Sequence, residues 1–309
     1  MSWLLEREVK RELPEEWRGI VPSAVFVSEA ERIVRLANKR NLVLRVMGGL
    51  GVAIHSESVR EFSQRLGRVG AGERVEGQEY SDIDLIGYRR QRDAIAQFFS
   101  DEGYLKRRAT LSSAASERQI YYHPKGWFHV DVFYDKLLVA NHPLDLRERL
   151  RLDYPTLTVT DLLLEKIQMW EAFSEKDLKD CLVLLRAHEV VNGPEKDCVN
   201  PDYVAALLSD DWGFWYTATT NLRRIEEFTS HVDVLGPVVK IDSASLTTED
   251  KTDITGKVDT ILRRIEDEPK SLKWKARGKI GVKKRWYNPV ETDKSTGGLG
   301  IWEAIIPRK

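Results

Sequence analysis

The sequence predicts an α+β protein: a small mixed β-sheet with helices on one face, followed by a helical bundle and a basic C-terminal helical tail. Three observations carry that prediction. Short strand-like runs fall in the first half of the chain: the apolar 42–47, the alternating Ser-Asp-Ile-Asp-Leu of 81–85, and the aromatic and valine run 127–134. From Thr160 onward apolar residues recur instead at spacings of three and four, the period of helices buried along one side. Beyond Pro269 lysine and arginine crowd around tryptophan and tyrosine.

Taken in order, Ser28 is read as the N-cap of a helix running to about Arg40. Residues 42–47 form a buried strand, and Gly48 and Gly49 then let a backbone approach a ligand with no Cβ in the way, phosphate oxygens being the natural guest. Residues 57–79 are charged and carry Gly67, Gly70, Gly72 and Gly77, which reads as a short helix and then a flexible loop. In 81–85 strand alternation puts Asp82 and Asp84 on one face, within reach of one hard cation, and Ile83 and Leu85 on the other. A helix over 91–103 turns Ala94, Ile95, Phe98 and Phe99 inward. Residues 119–123 then pair with 127–134 as a hairpin through Pro124-Lys125-Gly126. Asp131 shares its face with His129 and Phe133, and an acid on so apolar a strand needs a partner.

Residues 143–155 are the expected passage to a second unit. Helices are expected over 160–173, 176–188, 201–208 and 215–228, a polar linker over 247–255, and a helix again over 258–265. The corresponding division is a catalytic domain (1–155), a helical domain (156–240) and a basic helical C-terminal region (241–309).

Composition narrows the function class. A formal net charge of −1 over 309 residues excludes a general polyanion binder. Cys181 and Cys198 supply neither a disulfide framework nor a metal cluster, which fits a reducing cytosol. No apolar run is long enough to span a bilayer, and the charged N-terminus is not a signal peptide, so a cytoplasmic protein with no membrane partner is expected. His55 and His129 flank the acidic strands and are read as structural histidines.

A hydrophobic strand, a Gly-Gly pair, Asp-x-Asp and a lone Asp on a later strand resemble the nucleotidyltransferase superfamily with the DNA polymerase β-like fold. Gly48 and Gly49 match the first element, Asp82 and Asp84 the second, Asp131 the third. The resemblance implies Mg²⁺-dependent transfer of a nucleoside monophosphate from an NTP to an acceptor hydroxyl. Asp82, Asp84 and Asp131 would be catalytic residues and metal ligands, and Gly48, Gly49 and Ser81 would bind the nucleotide. Two Mg²⁺ ions about 3.5–4 Å apart would stabilise the attacking and leaving oxygens. Asp131 would orient or deprotonate the acceptor. The stretch between Gly49 and Asp82 is longer than in the usual pattern.

Further on, Lys166 in 161–166 and Asp177 in 174–185 look like the helical segment of the AbiEii-type, MenA-like toxin branch. There the lysine would meet the triphosphate, and Asp177 is a secondary site candidate. The same two residues also suit a helix cap or a scaffolding pair. That likeness implies an RNA, tRNA or protein acceptor and a separate antitoxin protein. The open alternatives are a small-molecule, aminoglycoside-type nucleotidyltransferase and an inactive nucleotide- or RNA-binding module. The tail has two readings: it binds a phosphate backbone and stacks bases, or it packs its tryptophans on the bundle and turns its lysines to water.

Overall fold

A computed structural model describes residues 13–67, 79–107, 118–138, 140–170, 173–193, 195–237 and 239–289. The chain forms two compact units. The first comprises Met1–Ile54, Val69–Leu138 and Asp145–Leu157; the second comprises His55–Arg68, Val139–Leu144 and Thr158–Lys309. This replaces the expected three-way division. The stretch from His55 leaves the first unit, and the described residues beyond 240 belong with the helical unit.

In the first unit α1 (Ser23–Lys39) begins five residues before Ser28, behind Pro22 as N-cap. Proline suits that place because the first turn of a helix has no use for its missing N–H. Strands β1 (Leu44–Val46) and β2 (Asp82–Gly87) are antiparallel, and α2 (Gly48–His55) follows β1. The glycine pair therefore opens a helix. Of the 57–79 stretch, α3 (Arg60–Arg65) gives the expected short helix, and residues 68–78 lie outside the described residues.

After α4 (Arg92–Asp101) and β3 (Leu105–Lys106), β4 (Gln119–Tyr122) and β5 (His129–Tyr134) form the expected hairpin. The short β6 (Lys136–Leu137) turns back on β5, and β7 (Leu144–Asp145) pairs with β6. The sheet runs β1-β2-β5-β4-β3. Along that order β2 and β5 lie parallel while β1–β2, β5–β4 and β4–β3 are antiparallel, so the sheet is mixed as expected. Ile83 and Leu85 of β2 are buried in a core shared with Phe26, Ile33 and Val34 of α1 and Phe98 and Phe99 of α4.

The second unit is helical: α5 (Val159–Ile167), α6 (Glu175–Ala187), α7 (Pro201–Asp210), α8 (Trp212–Ser230), α9 (Val232–Leu235), α10 (Thr248–Asp267) and α11 (Leu272–Gly278). A two-stranded parallel ladder of β8 (Glu189–Val190) and β9 (Cys198–Val199) sits among them. The expected linker over 247–255 is instead the start of α10. Its polar residues are end chemistry: Thr247 and Asp250 form a capping box. Asp250 also receives Arg186 Nε at 2.7 Å. Further along α10, Ile254, Val258, Ile261 and Ile265 are buried, and the helix packs on α7 and α8. That apolar stripe ties the described C-terminal residues to the bundle.

Candidate active site

Strand pairing assembles the site. In the parallel ladder of β2 and β5, Asp82 stands opposite His129 and Asp84 opposite Asp131. Residues directly opposite in a ladder point the same way, so the three aspartates and His129 share one sheet face. The other face, with Ile83 and Leu85, is buried core.

The strand before the glycines is fastened to the same place. Met47 N–H donates to Asp84 O at 3.0 Å, and Val46 is in register with Leu85. Gly48, at φ +65°, then starts α2 against Asp84; a Cβ there would lie 2.9 Å from Asp84 Oδ2. Position 48 therefore excludes a side chain twice over, by backbone conformation and by the carboxylate. The N-terminus of α2 puts the positive end of a helix dipole beside Asp84, a setting that favours anions such as carboxylate and phosphate.

Each acid has a distinct environment. Asp82 is partly open, with its side chain 33% exposed, and Ser81 Oγ donates to its Oδ1 at 3.0 Å. Asp84 is half-buried. Asp131 is buried, its side chain 4% exposed. Arg118 Nη1 donates to Asp131 Oδ2 at 2.6 Å. Asp131 Oδ1 accepts no hydrogen bond from any described residue. Burial raises the Asp131 pKa above the usual carboxylate range; the charges of Arg118 and His129 pull it down without cancelling the rise, and Asp82 pushes it further up.

His129, read from the sequence as a structural histidine, lies among the acids. Its Nε2 lies 3.4 Å from Asp82 Oδ2 and 4.0 Å from Asp131 Oδ1. The signal was the alternation that put it on the same face as Asp131. Arg118 carried no such signal, because it lies outside any motif and reaches Asp131 only through the fold of the β4–β5 hairpin. His55 packs edge-on against His188 in the second unit.

Lys166 and Asp177 also belong to the second unit and are brought together there. Lys166 Nζ lies 3.4 Å from Asp177 Oδ1 and 3.1 Å from Asp180 Oδ2, with the lysine side chain 8% exposed. Burial alone would lower the Lys166 pKa, but Asp180 and Asp177 more than offset it and hold the ammonium charged. Asp177 is in addition the N3 partner of Ser174 in the capping box that starts α6.

The acids suit a divalent cation. A buried carboxylate oxygen lacking a hydrogen-bond donor, on a group whose pKa burial has raised, gains from a metal ion. Mg²⁺ takes one or two carboxylates and completes its shell with water and substrate phosphate. Among the described residues no three His, Cys, Asp or Glu side chains are grouped so as to hold a metal ion by themselves, so a cation here would depend on water and substrate phosphate to complete its shell.

No protein-family model and no curated protein matches the chain. Among solved structures it is similar to the antibiotic-resistance factor ANT(2'')-Ia, at 14% identity over 84% of this chain and 94% of that one, with a TM-score of 0.28. At that TM-score the likeness does not bear on function. No described helix is long and apolar enough to cross a membrane.

Proposed function

We infer that the chain is a Mg²⁺-dependent nucleotidyltransferase moving a nucleoside monophosphate from an NTP to an acceptor hydroxyl. One observation carries the reading: Asp84 and Asp131 are direct partners in a parallel ladder, Asp82 shares their face, and a glycine-initiated helix abuts Asp84. Asp82 and Asp84 would hold the metal, with Asp131 completing the set. Bound there, Mg²⁺ would neutralise charge on the phosphates. The N-terminus of α2 at Gly48 and Gly49 would face the triphosphate. Ser81, through its hydrogen bond to Asp82 Oδ1, orients that carboxylate. Asp131 is suited to accept a proton from the attacking hydroxyl because its raised pKa makes it a stronger base than an exposed aspartate. Lys166, read from the sequence as a phosphate clamp, is already engaged by two aspartates and would have to leave them to serve. The family resemblance extends the proposal to an RNA or protein acceptor and to an antitoxin partner.

The test incubates the protein with each α-labelled NTP, Mg²⁺, and total RNA or cell protein. Label transfer is expected with the native chain and is expected to fall by at least about 10²-fold in Asp131→Asn, the scale of general-base catalysis. Stability supplies the control. A carboxyl whose folded pKa is raised stabilises the fold fully only below its unfolded pKa, and that contribution is lost as pH rises through the folded value. Where pH exceeds the folded pKa the buried carboxylate no longer contributes that stability, so Asp131→Asn, which never ionises, should there melt no lower than the native chain. Nucleotide binding with no transfer to any acceptor would instead identify an inactive nucleotide-binding module.

A further inference from the structure

We propose that the outer surface of residues 273–287 is a binding ledge for single-stranded polynucleotide. Three features of the second unit support it.

The segment is anchored. Trp274 meets the ring of Trp215 edge-on with centroids 4.9 Å apart, and Trp286 Nε1 donates to Thr217 Oγ1 at 3.1 Å. Asn288 N–H donates to Asn141 O at 2.9 Å, and Asn141 Nδ2 returns a bond to Asn288 O at 2.7 Å. Gly213 lets Trp286 come close, since a Cβ on it would lie 2.4 Å from the Trp286 carbonyl. Trp274 and Trp286 are thus spent on packing.

The cations fall into two sets. Arg277 lies over the Trp212 ring and donates to the carbonyls of Gly281 and Lys284 at 2.7 and 2.6 Å, Lys270 turns to the carbonyls that end α10, and Lys273 has Asp210 at 3.4 Å. Lys275, Lys279, Lys283, Lys284 and Arg285 are exposed and pair with no acid among the described residues. A chain with a net charge of −1 therefore carries here a local run of cations that form no ion pair among the described residues. A polyanion is its natural complement.

Beside the ledge are half-buried rings. Arg285 lies 5.8 Å from the centroid of Tyr287, whose ring is 6.3 Å from that of Trp170. Aromatic faces next to a cationic track suit unpaired bases, which stack without regard to sequence. A bilayer fits less well. Surface helices insert an apolar face, and α11 has only seven residues with Trp274 turned onto α8, although Leu272 is open to solvent.

The experiment measures fluorescence anisotropy of labelled 16-nucleotide RNA and DNA single strands, the matching duplex, and anionic vesicles with the full-length chain. NTP and Mg²⁺ are left out, so the result is independent of the transfer reaction. Single strands are expected to bind more tightly than duplex, and affinity should fall roughly 100-fold between 50 and 200 mM salt if about five phosphates are contacted. The variant K275Q/K279Q/K283Q/K284Q/R285Q should lose at least about tenfold in affinity at 100 mM salt and most of the salt dependence, with an unchanged melting temperature. The smaller K279Q/K284Q pair should lose an intermediate amount. Absent binding, equal affinity of native and five-site variant, duplex bound as tightly as single strand, or vesicles bound in preference would each overturn the proposal.

Discussion

At the scale of single residues, the site depends on where a side chain is forbidden as much as on where one is present. Gly48 holds φ +65° with Asp84 Oδ2 2.9 Å from where a Cβ would be. Gly48→Ala is therefore expected to cost about 1–2 kcal/mol in stability from the left-handed backbone alone. It should also push Asp84 out of register with Asp131, so transfer should fall by more than the stability loss explains. Denaturant melts alongside label-transfer assays would measure both effects; full activity in a folded Gly48→Ala protein would remove the glycine from the site. That Asp82 and Asp84 share a face was legible because strand alternation is a strict period of two, and Ile83 and Leu85 fixed which face was core; that Asp131 stands opposite Asp84 follows from the β2–β5 pairing, which alternation alone does not give. Arg118 was not legible, since its tie to Asp131 spans a hairpin and no local pattern encodes such a contact.

At the scale of elements, the helical unit is secured by polar residues that look functional when read alone. Lys166, Asp177 and Asp180 link α5 to α6 through a buried ion triad. Removing one member of such a group strands the others without compensation, at about 3–5 kcal/mol. Lys166→Met should accordingly lower stability by that order, while Lys166→Met combined with Asp180→Leu should recover part of it. Urea melts of the single and double variants would measure this; a Lys166→Met protein of native stability that fails to bind NTP would point to the phosphate-clamp role instead. Elements were legible wherever apolar period and caps agreed. Thus α6 follows Ser174 and its Asp177 box, and α7 follows Asn200 with Pro201 in its first turn. Reading failed where polar caps resembled loops. Thr247 and Asp250 begin a long helix, and the string of polar residues after them is its outer face. Reading also failed at α1, where Ser28 lies inside the helix and its Oγ donates back to Val25 O at 3.1 Å.

At the scale of the whole molecule, both units should share a weakness to acid. His123 in the first unit stacks on Trp127, with ring centroids 4.5 Å apart, and His142 in the second stacks on Phe214 at 5.2 Å while its Nε2 meets Thr217 Oγ1 at 2.8 Å. Burial brings the pKa of each down to about 4. A base whose folded pKa is depressed stabilises the fold fully above its unfolded value near 6.5, and that contribution drains away as pH falls toward about 4. Melting temperature should decline across that window, and the decline should shrink in His123→Phe and His142→Phe; a profile flat between pH 6.5 and 4 would contradict the assignment. A different consequence follows from the way the chain visits the second unit early. Phe62 and Leu66 are buried, Lys179 Nζ donates to Gly67 O at 2.9 Å, and Ser245 Oγ donates to Arg65 O at 2.6 Å. The first unit therefore cannot be excised with one cut: a truncation after Leu157 would keep α3 but delete the helices that shelter it, leaving its apolar side chains in solvent. Any isolated version of the first unit must replace or shorten 55–68 as well as stop at 157.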